Sequence, residues 1–272
     1  MKQGYRGFLK DLIFHLKENI IVRLIAYPYC TWKRKRQTRL YAESYLSQQM
    51  KQWENAYKGK RCFIVGNGPS LRINDLKAIE HEITFASNRI YHLYDKTSWR
   101  PDFYVAFEPQ FCKENADMIS SIDVKKARFL NVLSWDKKRE SSNTYWMNCT
   151  MKYSLRKQST KNVEFSHDIS LLVNDAYSVT FTMLQIAIYM GFKEIYLLGI
   201  DHYDKSVDFS SRHFYKSDKK EYQTPTYLEG IEYGYELAKK MAEQRGVKIF
   251  NASRGGKLEV FPCVDFEKIK QR

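Results

Sequence analysis

Short apolar runs alternate with amphipathic stretches along most of the chain after residue 58. Runs of four or five apolar residues that end at glycine or polar residues are typical of buried parallel strands. Two helices are predicted between them, a strongly apolar one at 177–190 that ends at Gly191 and an amphipathic one at 226–245. The strands are predicted at 61–65, 83–86, 103–106, 129–133, 194–198 and 247–250. This alternation predicts an α/β, Rossmann-like fold with a mostly parallel sheet and helices on both faces.

The first 57 residues have a different pattern. Apolar residues recur at helical spacing over 5–26, Pro28 is expected to end that helix, and a basic cluster follows at 32–36. Residues 40–58 predict a further helix that leads into the core. We therefore predict a basic, amphipathic helical arm over 1–57 and a single folded domain over 58–272.

The charge is concentrated in this arm. The chain of 272 residues has 45 Lys and Arg against 31 Asp and Glu, a net charge of +14, and the first 60 residues carry 13 basic and four acidic side chains. A nucleic-acid enzyme usually spreads positive charge over its folded body, so nucleic acid is not expected as a partner. The pattern favours an anionic membrane surface bound through residues 5–39. Packing of the arm on the body or on a second subunit is the alternative.

Composition excludes several classes of protein. The five cysteines are widely spaced without a CxxC motif, so neither a disulfide framework nor a thiolate zinc site is expected. Charges interrupt every apolar run well before the ~18 residues of a spanning helix, and no cleavable signal peptide is visible. We expect a cytoplasmic protein that lies peripherally at the inner membrane face.

The loop at 66–70, Gly-Asn-Gly-Pro-Ser, carries the sharpest local signal. Its glycines permit close approach to a ligand, and Pro69 and Ser70 can open a helix whose N-terminal amides suit phosphate. It lacks the lysine of a P-loop and the third glycine of the dinucleotide fingerprint, and a tight strand-to-helix turn would look the same. Asn67 and Asn88, at the ends of two strands, strengthen the binding hypothesis because paired amides can read a base or ribose.

Polar residues also follow the most hydrophobic strand, in Gly199-Ile200-Asp201-His202-Tyr203. Asp201 can accept from hydroxyls, hold a cation or cap the next turn. Ser178 and Thr180 begin the apolar helix, where they either face an anion or form an ordinary N-cap.

The polar segment 204–227 is rich in Lys and Tyr. A segment of this length without regular structure is typical of a lid, and a disordered excursion is the alternative. The side chains expected to close over a phosphate are Arg212, His213, Tyr215 and Lys216.

Five ordered segments of the chain resemble the MptE-like family, which includes the central domain of motility-associated factors. They are also similar to Campylobacter-type bacterial sialyltransferases. The segments are IVGNGPSL (64–71), ITFASNRIY (83–91), RPDFYVAFE (100–108), AYSVTFTMLQIAIYMGFKEIYLLGIDHYD (176–204) and YLEGIEYGYELAKKMAEQRGVKIFNAS (227–253).

The resemblance implies a nucleotide-binding catalytic domain, with Tyr203 near the ribose and phosphate. This sequence departs from the family pattern at two places. The asparagine expected after the third strand is Glu108 here, and the position of the histidine base expected before the long helix falls near Glu229, where there is no histidine. The nucleotide-binding residues that it implies are Gly66, Asn67, Gly68, Pro69, Ser70, Asn88, Ser178, Thr180, Gly199, Ile200 and Asp201.

The leading hypothesis is a sialyltransferase-like glycosyltransferase that needs no cofactor. It would use a CMP-activated nonulosonic acid and a glycan or glycolipid acceptor in bacterial surface-glycan assembly, by a single inverting displacement. Glu229, His213 or His202 would be the base, and Tyr203 with Ser178 would stabilise the departing phosphate. Homo-oligomerisation is left open.

Two alternatives remain. The first is transfer of pyrophosphate from ATP to 6-hydroxymethyl pterin, for which Glu108 and Asp201 would hold magnesium. The carboxylate of Glu108 favours that reaction, whereas the arm expected to bind a membrane does not. The second is a non-catalytic nucleotide- or glycan-binding module, because the missing histidine is compatible with lost activity.

Overall fold

A parallel β-sheet forms the centre of the computed structural model, which describes residues 20–136, 138, 141–149, 163–202, 213–215, 225–255 and 257–270. The strand order in the described part of the chain is β5-β4-β3-β2-β1-β6-β7, and every pair is parallel. The strands are β1 (Arg61–Val65), β2 (Thr84–Ser87), β3 (Phe103–Ala106), β4 (Ala127–Asn131), β5 (Thr144–Met147), β6 (Glu194–Leu198) and β7 (Lys248–Asn251).

Helices cover both faces of this sheet. They are α1 (Ile20–Ala42), α2 (Tyr45–Lys51), α3 (Ile73–Ala78), α4 (Pro109–Glu114), α5 (Ala116–Ser121), α6 (Val179–Tyr189), α7 (Pro225–Gln244) and α8 (Phe266–Ile269), with 3₁₀ turns at Ile90–Leu93 and Val132–Ser134. The predicted α/β, Rossmann-like fold is therefore confirmed.

Successive strand residues point into two separate cores, as the pleat requires. Ile64 of β1 packs with α6 and α7 in one core, and Phe63 packs with α3 and α8 in the other. Because both faces are covered, the strands are apolar throughout, and all of Phe63, Ile64 and Val65 are fully buried.

The structure adds an edge strand that the sequence pattern does not predict. Strand β5 has only four residues and begins with a threonine after a polar stretch, so it lacks the continuous apolar character of the central strands, and Tyr145 is its half-buried residue. Tertiary contact supplies the missing stabilisation, since Trp53 packs edge-on against Tyr145, with ring centroids 5.2 Å apart.

The prediction that the first helix ends at Pro28 is wrong. Helix α1 runs through Pro28 to Ala42. A proline removes one helical hydrogen bond, but Pro28 is exposed, so water can solvate the carbonyl that loses its donor. In the described part of the chain, no helix has both the length and the apolar character needed to cross a bilayer.

The chain packs on the sheet from Tyr41 onward, within the stretch predicted as the arm. The Tyr41 hydroxyl donates to the Trp146 carbonyl of β5 at 2.8 Å, and burial raises the pKa of Tyr41, which keeps this donor protonated. The Ser47 hydroxyl donates to the Ser170 carbonyl at 2.7 Å, and Met50 is fully buried.

The strand order has its switch point between β1 and β6. The chain proceeds from β1 to β5 on one side of the sheet, then returns to place β6 and β7 on the other side. In open α/β sheets the crevice at the carboxyl ends of the strands beside such a point is the usual ligand site. The loops 66–70 and 199–202 leave the sheet at this position.

The contact between α1 and β5 yields a stability prediction. Replacement of Tyr41→Phe removes the hydroxyl and leaves the buried Trp146 carbonyl without its donor, so the free energy of unfolding should fall by about 1–2 kcal/mol. Urea denaturation measures this loss. The matched control Tyr29→Phe changes an exposed tyrosine and should leave stability unchanged. Equal effects of both variants would contradict the packing of α1 on the edge strand.

Candidate functional site

The loops after β1 and β6 lie directly against each other. The Gly68 amide donates to the Gly199 carbonyl at 2.8 Å, and the Gly66 amide donates to the Leu198 carbonyl at 2.8 Å. A Cβ atom on Gly66 or Gly68 would clash with the Gly199 carbonyl, and Gly199 has a positive φ of 67°. The atoms that exclude a side chain at Gly66 and Gly68 belong to the protein itself, to the Gly199 carbonyl and to the side chains of Ile200 and Asp201, so these glycines serve loop packing.

Asp201 fastens the two loops together. Its side chain is buried, and its carboxylate accepts from the Ser70 amide at 2.9 Å and from the Ser70 hydroxyl. The sequence had left the role of Asp201 open among ligand, cation and cap. The structure places it as an acceptor for the 66–70 loop, where it orients that loop. Pro69 and Ile200 lie within the same paired loops.

Asn67 and Asn88 are brought together at the rim. The Asn67 side-chain nitrogen donates to the Ser87 carbonyl at 3.2 Å, next to Asn88 in the chain. The Asn67 Oδ1 atom is buried and has no hydrogen-bond partner among the described residues. Because a buried, unpaired amide oxygen is costly, this acceptor indicates a place for a ligand donor.

Backbone strain gathers at the same edge. Among the described residues, Asn88 (50°), Tyr177 (61°) and His202 (45°) are non-glycine residues with positive φ, each beside a strand or helix end of the rim. Asn55, at 55°, is a fourth and lies elsewhere, near Gly191. Such conformations persist only where the surroundings impose them, and they are enriched at functional sites.

Part of the expected lid is described, and it lies on the rim. The Phe214 amide donates to the Asn67 carbonyl at 3.0 Å. The Tyr215 ring lies 5.3 Å from His92 and 6.0 Å from the Arg89 guanidinium, and it stacks on His213 at 4.9 Å. The predicted residues Tyr203, Arg212 and Lys216, like most of 204–227, lie outside the described residues.

His202 pairs with a glutamate that the sequence analysis did not select. The His202 Nε2 atom lies 3.2 Å from the Glu232 carboxylate, and the His202 side chain is only 12% exposed. Glu232 and Tyr235 are three residues apart on α7, so they share a helix face. The sequence signal for this pair is its position beside Gly230 and Gly234. A helix can pack closely against its neighbours where it carries no side chain, and Tyr177 and Ala176 lie against these two glycines.

The start of α6 combines a cap with a buried phenol. Ser178 is the N-cap and accepts from the Thr180 amide at 3.3 Å, as the capping alternative expects. Its hydroxyl also lies 3.2 Å from the Tyr235 hydroxyl. Burial raises the pKa of Tyr235, so its hydroxyl remains protonated and able to donate. The Tyr177 ring fills the space over Gly230.

The remaining carboxylates differ in their surroundings. Glu229 is exposed on α7. Glu108 is the N-cap of α4, where its two oxygens accept from the amides of Gln110 and Phe111. Both oxygens of Asp201 are also engaged, so a cation at either carboxylate would compete with those donors. The described residues contain no group of three or more metal-ligating side chains.

The fastening of the loops by Asp201 can be tested. In Asp201→Asn one oxygen becomes an amino group facing a Ser70 donor, so the free energy of unfolding should fall by about 1–3 kcal/mol. Thermal or urea denaturation provides the measurement. The control Asp95→Asn alters an exposed aspartate and should have no effect. Unchanged stability in Asp201→Asn would show that this carboxylate does not hold the loop.

Comparison with known proteins gives one family match and several structural likenesses. The profile of the family described as "6-hydroxymethylpterin diphosphokinase MptE-like" matches residues 35–206, well over half of the chain. No curated protein sequence matches.

Among solved structures, the MAf glycosyltransferase from Magnetospirillum magneticum AMB-1 aligns with 79% of this chain at 16% identity and a TM-score of 0.51. The chain spans 35% of that protein's length. The sialyltransferase CstII from Campylobacter jejuni, solved with the substrate analogue CMP-3FNeuAc, aligns at 15% identity and a TM-score of 0.42, over 75% of this chain and 86% of its own. At these identities the likeness concerns the fold, and the family match shows that the chain belongs to the MptE-like family.

Proposed function

We propose that the chain is a glycosyltransferase whose nucleotide-sugar donor binds at the carboxyl edge, between β1 and β6. The observation that carries this proposal is the buried Asn67 Oδ1, which has no partner among the described residues and lies beside Asn88 at the switch point of the sheet. The fold shared with the MAf glycosyltransferase and the rim position of Phe214 and Tyr215 support it.

The donor proposed is a CMP-activated nonulosonic acid, such as sialic acid. Cytosine carries an amino group that can donate to Asn67 Oδ1, and ring acceptors that can receive the Asn88 amide hydrogens. Adenine offers a similar edge, so the amides alone do not choose between them. The choice of cytidylate rests on the resemblance of the 64–71 and 83–91 segments to sialyltransferases. The acceptor proposed is a glycan or glycolipid of surface-glycan assembly.

His202 is the base that the geometry favours over Glu229 and His213. A proton on the His202 Nε2 atom would face the Glu232 carboxylate, so Nδ1 would be free to accept the proton of the acceptor hydroxyl. The Glu232 carboxylate would then stabilise the imidazolium that forms. The acceptor oxygen bonds to the anomeric carbon and its proton passes to His202. The bond from that carbon to the phosphate oxygen breaks, CMP leaves with the electron pair, and the configuration inverts.

The start of α6 is proposed to stabilise the charge on the departing phosphate. Its N-terminal amides lie at the carboxyl edge, and the protonated hydroxyls of Tyr235 and Ser178 are additional donors nearby. Tyr203 is proposed for the same role from the sequence resemblance. This arrangement needs no cofactor.

The alternative is magnesium-dependent transfer of pyrophosphate from ATP to 6-hydroxymethyl pterin. The description of the matched family favours it, as does Glu108 at the carboxyl end of β3. Against it, each oxygen of Glu108 and Asp201 already accepts from an amide or hydroxyl donor, which makes both carboxylates weaker ligands for magnesium. A non-catalytic binding module is the second alternative.

Nucleotide binding separates these functions. CMP should raise the melting temperature of the wild-type protein in a thermal-shift panel of CMP, UDP, GDP and ATP with magnesium. Asn88→Gly should abolish that shift, because glycine removes the amide while tolerating the φ of 50°.

Asn55→Gly is the matched control, since it alters another asparagine with positive φ. This variant should retain the CMP shift. Stabilisation by ATP with magnesium and not by CMP would favour the diphosphokinase. An undiminished CMP shift in Asn88→Gly would place the nucleotide elsewhere.

The base assignment predicts a kinetic result. His202→Asn should lower kcat for CMP release from CMP-sialic acid by about 10²–10⁴-fold with little change in KM. Asparagine tolerates the positive φ at this position. Glu232→Gln should have a smaller effect, and Glu236→Gln, exposed on the same helix, none. Loss of activity in Glu229→Gln but not in His202→Asn would assign the base to Glu229.

A further inference from the structure

An exposed stripe of aromatic and basic side chains runs along α1. We name it the α1 stripe and define it as Tyr29, Trp32, Lys33, Arg36 and Leu40. Offsets of three, four, seven and eleven residues place these side chains on one helix face. Tyr29, Trp32 and Leu40 are 59%, 56% and 55% exposed, which is unusual for large apolar side chains on one face.

The opposite side of α1 is held by the body. The Asn148 side-chain nitrogen donates to the Thr38 hydroxyl at 3.2 Å, and Gln37 donates to the Asn148 side-chain oxygen at 3.3 Å. The Tyr41 hydroxyl donates to the Trp146 carbonyl. These contacts turn the α1 stripe away from the sheet.

The charge of α1 has one sign. Between Ile20 and Ala42 the helix contains six basic residues and no acidic one. Arg39 pairs with Glu43, but Lys33, Arg34 and Lys35 form no ion pair with any described residue. The Arg36 guanidinium lies 5.8 Å from the centre of the Trp32 ring, and the Tyr29 and Trp32 rings are 6.1 Å apart.

This mixture of residues fits the headgroup layer of an anionic bilayer. Tyrosine and tryptophan favour the interface, leucine can enter the acyl boundary, and the cations are attracted to anionic lipids. A second copy of this helix would bring like charges together, because neither helix offers an acidic side chain. A nucleic acid would use the cations but leave Leu40 and the aromatic rings without an apolar environment.

The direction of α1 relates this surface to the candidate site. Tyr41 contacts Trp146 within β5, whereas Thr38, one turn earlier, contacts Asn148 just after the strand ends. At this contact α1 runs in the direction opposite to β5, with Thr38 nearer the carboxyl end of that strand than Tyr41. The loops of the candidate site lie at the same edge of the sheet.

We propose that the α1 stripe docks on anionic phospholipid headgroups and thereby holds the carboxyl edge of the sheet on the membrane side. The docking is independent of which reaction the chain carries out. Its proposed consequence is that a lipid-linked acceptor would meet the crevice from the bilayer.

Vesicle sedimentation of the full chain tests the proposal. The wild-type protein should sediment with vesicles of phosphatidylcholine and phosphatidylglycerol in equal parts, but not with phosphatidylcholine alone. The combined change of Lys33→Gln and Arg36→Gln in the stripe, with Lys35→Gln beside it on the same helix, should weaken binding by about 100-fold, since each cation near an anionic surface contributes to the affinity.

The matched control removes three exposed lysines of the body, by Lys77→Gln, Lys239→Gln and Lys268→Gln. It lowers the net charge equally and should keep the wild-type affinity. Equal weakening by both triple variants would overturn the proposal, because it would show attraction by net charge alone. Wild-type melting temperatures in both variants would show that the fold is kept.

Tryptophan fluorescence supplies a second readout. Anionic vesicles should shift the emission to the blue, and Trp32→Phe should remove that shift because the exposed indole no longer enters the interface. A dimer in lipid-free solution that the α1 triple variant dissociates would identify a second copy as the occupant. Tighter binding to a DNA duplex than to the anionic vesicles would identify nucleic acid. Either result would overturn the lipid proposal.

The lipid-docking proposal and the proposed nucleotide site can be tested independently of each other. The α1 triple variant should keep the thermal shift by CMP, because Asn67 and Asn88 are untouched. Loss of vesicle binding with an intact CMP shift supports the α1 stripe as a distinct surface. Loss of both would contradict it, because α1 would then be required for the site itself.

Discussion

The backbone contact between the loops after β1 and β6 is the constraint on which the rim depends. Two adjacent parallel strands deliver their loops to one place, where the Gly68 amide and the Gly199 carbonyl meet at 2.8 Å. Any side chain on Gly66 or Gly68 would separate them. Asp201 then binds Ser70 and closes the arrangement, and the Asn67 side-chain nitrogen donates to the Ser87 carbonyl at the same rim.

Around this contact the chain tolerates strain that a less supported loop would relieve. Asn88, Tyr177 and His202 hold left-handed backbone conformations at the rim, and Asn67 keeps a buried oxygen that no described residue contacts as a donor. Both cores of the sheet enclose the strands that lead to these residues, so the rim cannot relax without disturbing close packing. The same rigidity favours a preorganised binding site, since the amides are already oriented before a ligand arrives.

Helix α1 packs on the edge strand of the sheet and also carries exposed side chains. Its last turns complete the packing of β5 through Tyr41, while its preceding turns present Trp32 and the cations to solvent. The C-terminal part of α1 is thus packed on the protein, whereas its preceding turns are exposed to solvent. The contact of α1 with Asn148 brings the helix to the carboxyl edge of the sheet, because Asn148 directly follows strand β5.

Local sequence determined much of this protein: six strands of the parallel sheet, the apolar α6, and the two glycine loops that meet at the rim. These features follow from apolar runs and glycine positions, which act over a few residues. The continuation of α1 through Pro28, the edge strand β5, the bond between Asp201 and Ser70 and the pair of His202 with Glu232 depended on the tertiary structure. They join residues far apart in the chain or rely on contacts with neighbouring elements, and no local pattern encodes such a partner.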